Sequence, residues 1–413
     1  MEPFPSFPGP LRDVTIVDLS MWWSGPLATQ LFALMGARVI KVESVQRVDG
    51  WRLAARMTAD VGVEGAANFN GVNLNKLGIT LDLSIERGRG LLRQLVEAAD
   101  ALVENYSPRV MGNLGLTDEV LWGWNERLVI LSMPAFGLDS PWRDYVGFAP
   151  TIEQLSGLPQ LTGYAGGPPS LSGNSLADPI AGFNGALALL AALHDRSRTG
   201  APQHVDLSQL EALTSLLGHA LLGQQFAGVS PARTGNAHPS AAPRGCYPCQ
   251  GTDRWLVIAV HSDAEFRSLC RAMGQPALAV DARFATHNDR LAHQAALDVL
   301  IGASTRGRDQ VELASELQSL GVAAGPVLGP AGLLNDEHLR ARGYWVELDR
   351  DVVGRHPHPG LPFRFSSTPG EVREAAPTLG RDNRRVLGEL LGLDDEELHE
   401  LEAANVIGTH ALE

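Results

Sequence analysis

Asp178 is the residue of this sequence whose type and setting point most directly to covalent chemistry. It closes a stretch of small and polar residues, Gly173-Asn174-Ser175-Leu176-Ala177-Asp178-Pro179, just before an apolar run that reads as a helix. A carboxylate near a helix N-terminus is held largely ionised at neutral pH and can attack a thioester carbonyl without a separate base. The competing reading is structural: Asp before Pro is a common helix N-cap and needs no further role. Local sequence alone favours the cap, and the choice needs information from elsewhere in the chain.

Other chemistry-bearing patterns are weaker. Ser20-Met21-Trp22-Trp23-Ser24-Gly25-Pro26 forms the first strand-to-helix turn, where open α/β sheets bind ligands. It lacks the GxGxxG spacing, and two tryptophans stand where a pyrophosphate needs bare backbone, which counts against a nicotinamide or flavin enzyme. One tryptophan suits core packing and its neighbour, pointing the other way, suits a pocket wall. Cys246-Tyr247-Pro248-Cys249 is a CxxC, but Cys270, His238 and His261 do not complete a zinc spacing. A structural role fits those cysteines better than a redox one. The twelve histidines include no HExxH, and GxSxG and GxxxxGK[ST] are absent, so no catalytic metal, serine elbow or phosphate loop is expected.

Composition narrows the class. A formal charge of −14 repels a nucleic-acid backbone, although a local pocket of N–H groups can still hold a phosphorylated ligand. No apolar run approaches the ~20 residues of a membrane span, and Met1–Pro10 lacks signal-peptide features. Three cysteines cannot build a disulfide framework, so a cytoplasmic protein is expected.

The elements that would position Asp178 alternate strand and helix. Val14–Leu19 reads as a buried parallel strand, Ser24-Gly25-Pro26 opens a helix, Gly36 closes it, and Arg38–Glu43 returns as a second strand. A helix over 86–99, a strand at Ala101–Val103, a helix near 117–124 and a strand at Leu128–Ser132 continue the cycle, which implies a doubly wound α/β layer. Residues 156–179 read as one long functional loop, followed by a helix from about Ile180 to Asp195, a strand Gln203–Leu207 and a helix over 208–227. Residues 229–254 read as a second loop. Trp255–Val260 opens a small domain, and the tail offers strand-like Tyr344–Leu348 and Phe363–Phe365.

Several segments together resemble the class III CoA-transferases, the family of formyl-CoA transferase and carnitine CoA-transferase that also holds α-methylacyl-CoA racemase. They are Val14–Ser44, Asn73–Leu83 (NLNKLGITLDL), Ala99–Leu116, Gly173–Gly200, Asp281–Arg290, Gly321–Val327 and Ala376–Asn383 (APTLGRDN), in family order over about residues 11–407. The resemblance implies a Rossmann-like large α/β domain from 1–228 and 331–413, a smaller α+β domain over 245–330, and an interlocked ring-like homodimer. It also implies that Asp178 attacks the donor acyl-CoA to give an aspartyl anhydride. CoA then forms an aspartyl thioester, from which the acceptor carboxylate takes it. Contacts to coenzyme A are implied at Trp23, Ser24, Ser44, Leu81, Asn105, Tyr106, Ser107, Asn113 and the turn Pro134, Ala135 and Phe136.

The sequence departs from the family pattern at several points. Trp23, Ser44 and Asn113 stand where the family often carries Arg or Gln, leaving Arg109 or Lys76 as replacement cations. Asn236–Gly245 replaces the glycine-rich flap of formyl-CoA transferase, and with Trp22 and Trp23 this points to a bulkier or apolar acyl group. The family's racemases use a His–Asp pair, and Phe148 occupies the histidine's place. Phenylalanine cannot move a proton, so transfer is expected rather than racemisation. A CoA-binding protein without catalysis is the remaining alternative.

Overall fold

The computed structural model describes residues 7–54 and 59–412. Six strands form one parallel sheet: β1 (Thr15–Asp18), β2 (Arg38–Glu43), β3 (Leu77–Thr80), β4 (Ala101–Glu104), β5 (Val129–Ser132) and β6 (Gln203–Asp206). Their order across the sheet is β3-β2-β1-β4-β5-β6, so the chain changes direction of winding between β1 and β4.

Alternation along each strand builds a core on both faces. Ile16, Val39, Val103 and Leu131 point to one side, where they meet Phe32 and Ala33 of α1 (Ser24–Leu34). Val17, Ile40, Leu102 and Ile130 point to the other, against Leu91, Leu92 and Leu95 of α2 (Glu86–Glu97) and Leu121 of α3 (Asp118–Trp124). Each leucine buried in this way contributes about 2 kcal/mol. Beyond β5 come α4 (Ala149–Leu155) and α5 (Ala177–Thr199), whose Leu189 and Leu193 join the α1 side. The helix read over 208–227 is broken: Gln209–Thr214 passes through a 3₁₀ turn, Ser215–Leu217, into α6 (Gly218–Ala227).

The exposed edge of β3 is closed from far along the chain. Gly78 N–H donates to Asp382 Oδ2 at 2.7 Å and Thr80 N–H to Asn383 Oδ1 at 2.9 Å. Thr80 Oγ1 meets the Gly408 carbonyl at 2.8 Å and the Gly408 N–H at 2.8 Å. Side chains here do what a seventh strand would do, and the edge cannot template another chain.

The chain divides into two compact units. One comprises Met1–Pro159, Leu171–Val229 and Glu337–Glu413, and the other Gln160–Ser170 and Ser230–Asp336. The second unit has an antiparallel sheet of β7 (Arg244–Pro248), β8 (Trp255–Ala259) and β9 (Ala323–Val327). Packed on it are α7 (Asp263–Ala272), α8 (Gln294–Thr305) and α9 (Gln310–Ser319), around Leu256, Ile258, Phe266, Leu269 and Leu297. β7 lies inside the segment read as a loop, because Gly245, Cys246 and Pro248 give it no apolar alternation. Cys249 is buried in this core and all three cysteines are free. The segment 156–179 is not one loop: a short helix, Leu158–Leu161, opens it. Residues 160–170 join the second unit, where Arg233 donates to the Gly167 and Gln160 carbonyls and Gly235 N–H to the Gly163 carbonyl at 2.9 Å. The tail forms a hairpin of β10 (Trp345–Arg350) and β11 (Gly354–Pro359), whereas Phe363–Phe365 forms no strand. Among the described residues no helix is long and apolar enough to cross a membrane.

Candidate active site

The carboxyl ends of the parallel strands open into a cavity of about 1600 Å³ within the first unit. Its walls come from the turns after β1, β2, β3 and β4 and from the start of α5, at the point where winding reverses, where open α/β sheets bind ligands. Trp23, Ser24, Ser44, Leu81, Asn105, Tyr106, Ser107, Ala135 and Asp178 all line it. Three residues grouped with them by resemblance do not. Asn113 is exposed at the end of a short helix, Arg109–Asn113. Pro134 is buried with its carbonyl accepting from Gln209 N–H at 3.2 Å. Phe136 is buried with its ring edge-on to Trp142 at 5.7 Å.

Asp178 is not the cap of α5. The N-cap position is Leu176, and Asp178 lies in the first turn of a helix that begins at Ala177, three residues before the expected start at Ile180. The neighbour that favours its charged form is the Ser24 hydroxyl. Ser24 Oγ in turn accepts from Asn105 Nδ2 at 3.1 Å. Asn105 also donates to the Met21 carbonyl at 2.7 Å and accepts from Met21 N–H at 2.8 Å, so its amide is fully committed to holding the first turn. The reach from α5 to Ser24 depends on Gly182, where a Cβ would stand 2.9 Å from the Ser24 carbonyl. Burial pushes the Asp178 carboxyl up to about 7, with the Ser24 hydrogen bond only partly offsetting it. The carboxylate is therefore not held ionised by the helix end, as its sequence position suggested, but titrates near neutrality.

Beneath this turn lies a second carboxylate in the opposite setting. Asp18, at the end of β1, is fully buried, with Lys76 Nζ at 2.9 Å, Ser20 Oγ at 2.5 Å and Thr29 Oγ1 at 2.7 Å. Burial alone would raise it, but the charges of Lys76 and Lys41 and the two hydroxyls outweigh that and pull it down to about 2. Lys76 also donates to the Pro26 carbonyl at 2.8 Å and to Asn73 Oδ1 at 2.9 Å. It is enclosed in the fold and is no replacement cation for a bound phosphate. The cations that do line the cavity are Arg47, Arg109 and Arg143.

Trp22 and Phe148 meet edge-to-face at 5.3 Å on the cavity wall. Trp22 adopts a left-handed backbone, φ +65°, which is strained for a bulky residue. Its N–H is held by Asp49 Oδ1 at 2.9 Å and its ring lies on Gly50, where a Cβ would come within 2.2 Å. Sequence reading missed Glu153 of α4, which is 1% exposed. Its carboxylate accepts from Ser172 N–H at 2.5 Å, Ser172 Oγ at 3.0 Å and Leu176 N–H at 3.1 Å. Nothing in the one-dimensional pattern signals this, because two of the three donors are backbone groups 19 and 23 residues away.

The model of CoA-transferase family III matches residues 11–383, which include Asp178 and the cavity-lining turns. The chain belongs to CoA-transferase family III. It is 36% identical over 407 residues to the succinyl-CoA--D-citramalate CoA-transferase of Chloroflexus aurantiacus, covering 97% of this chain and 98% of that protein. It is 32% identical over 393 residues to the succinate--glutarate CoA-transferase of Agrobacterium fabrum, covering 94% of this chain and 98% of the relative. A solved structure of a CaiB/BaiF family protein from Brucella suis superposes with a TM-score of 0.87 at 33% identity, covering 93% of this chain and all of that one. Among the described residues no three His, Cys, Asp or Glu side chains cluster as a metal site requires.

Proposed function

We propose that this family III protein moves CoA from an acyl-CoA thioester to a carboxylic acid, with Asp178 as the nucleophile. The observation that carries this is a half-buried carboxyl group at the start of α5 on the wall of a large cavity, its pKa pushed up to about 7 by burial. When ionised, an Asp178 oxygen attacks the thioester carbonyl and CoA leaves as thiolate, giving an aspartyl–acyl anhydride. The thiolate attacks the aspartyl carbonyl and expels the donor acid as its carboxylate. The acceptor carboxylate then attacks the aspartyl thioester, and the returning thiolate takes the acceptor acyl group and frees Asp178. Each step exchanges one acyl bond for another, so no separate base or oxidant is needed. A raised pKa keeps the Asp178 carboxylate reactive, while Ser24 donates a hydrogen bond to the ionised form.

Hydroxylamine trapping during turnover should label Asp178 itself, mapped by mass, and Asp178→Ala should lose at least about 1000-fold in transfer rate. Undiminished transfer by that variant would overturn the reading. Trp22, Phe148, Phe183 and Leu187 on the walls favour an acyl group with an apolar body. Across a donor panel, fastest turnover with formyl-CoA or oxalyl-CoA would sink that part. Racemisation needs a proton carrier on each side of the α-carbon, and Phe148 on the wall supplies none. The apolar residues exposed on α6, Leu221, Leu222 and Phe226, support a homodimer that covers them.

A further inference from the structure

We infer that Glu153 is the positioning residue that sets the orientation of Asp178, acting as an external cap on α5; this rests on Asp178 being the nucleophile. α5 begins without help from its own side chains: Leu176 at the N-cap makes no side-chain hydrogen bond. The approach is poorly constrained by local sequence, passing through Gly173 at φ +82° and Ser175 at φ +50°. A segment of Gly, Asn and Ser has many conformations open to it, and something must select this one. Glu153 does so from α4. One of its oxygens takes Ser172 N–H and the other takes both Ser172 Oγ and Leu176 N–H.

Two consequences reach Asp178. First, Leu176 lies two residues before it, so fixing that N–H fixes the rotation of the first turn on which the Asp178 side chain stands. Second, the carboxylate that serves the orphan N–H at Leu176 comes from Glu153, which leaves the Asp178 carboxyl free to turn toward Ser24 and the cavity. Glu153 itself is sealed from solvent and absent from the cavity wall. It touches no substrate and acts only through the loop. A buried carboxylate is tolerated there because all of its partners are donors.

The test compares Glu153→Ala and Glu153→Gln with the native protein and reads kcat and KM separately. Displacing a reacting group by about 1 Å costs on the order of 100-fold in rate, so Glu153→Ala should lose about 100-fold in kcat. KM for the acyl-CoA should stay within about threefold, because the groups that line the cavity are untouched. Glu153→Gln retains one acceptor oxygen and the volume, and should recover about tenfold of the loss. Hydrogen exchange at the Ser172 and Leu176 amides should quicken in both variants. Unchanged kcat in both variants, a KM that rises in step with the loss, or unchanged amide protection would each overturn the inference. Should Glu153→Ala fail to fold, the kcat and exchange rates of the isosteric Gln variant decide. Native protein that forms no Asp178 adduct defeats the nucleophile reading itself, whereas a normal adduct with unaffected Glu153 variants defeats only the positioning role.

Discussion

Asp18 and Asp178 meet the same turn, the one between β1 and α1, yet one is pulled down to about 2 and the other pushed up to about 7. Asp18 is fully buried and Asp178 half-buried, and a serine hydroxyl favours the charged form of each. The difference is cationic. Asp18 has Lys76 at 2.9 Å and Lys41 nearby, so its charge is matched and it serves as a joint between β1, β3 and α1. The influences on Asp178 are burial and one hydroxyl, with no cation among them, so its charge remains costly and available for chemistry. Two carboxylates on a common turn, one beside it in sequence and one brought to it by α5, thus differ in role through their neighbours.

Removing the cation from the structural member should have the largest effect on stability. Lys76→Met leaves Asp18 buried with Lys41 as its remaining counter-charge, and should destabilise the fold by about 3 kcal/mol in denaturant titration at pH 7. The sign with pH follows from the lowered carboxyl. Asp18's contribution is present in full above the ordinary aspartate value near 3.8 and fades as pH falls toward 2, so the loss should shrink in acid. A variant as stable as the native protein at pH 7 would mean the two carboxylates are not distinguished by this lysine.

A smaller effect is expected from the hydroxyl on the reactive member. Ser24→Ala removes the hydrogen bond that favours ionised Asp178, so the rising limb of the pH–rate profile, expected near 7, should move to higher pH. At pH 7 the rate should fall about tenfold, the worth of one hydrogen bond to a charged group. Thr29→Val is the matched control, since it takes a hydroxyl from Asp18 instead. It should leave the profile in place, and a shift of equal size would erase the contrast.

Much of the frame was legible from residues. β1, β2, β4 and β5 are short runs buried on the sheet and β6 is a partly exposed edge strand, and each was read to within a residue or two of its observed limits. β11 was missed because Gly354–Pro359 carries Pro357 and Pro359 and no apolar alternation, and Phe363–Phe365 drew the reading instead. α5 begins earlier than its apolar run because Glu153 caps it from another helix, a partner that local pattern cannot reveal. The site was legible in membership more than in duty. Asn105 lines the cavity, but its amide braces the Met21–Ser24 turn, and Lys76 proved to be a buried counter-ion. Roles of that kind depend on partners 58 to 84 residues away, such as Asp18 for Lys76 and Met21 for Asn105.

The clasp on β3 has a consequence for how the protein comes into being. Asp382, Asn383 and Gly408 complete a sheet edge laid down at Gly78–Thr80, a separation of about 300 residues. While the chain is being synthesised, that edge must wait, its N–H groups unserved, through the making of the whole second unit. The nascent sheet is therefore open on one side while the residues between 80 and 382 are made, and the last of these contacts forms only when residue 408 has emerged from the ribosome. Closure of that edge depends on Asp382, Asn383 and Gly408 reaching β3 after all the intervening chain has been made.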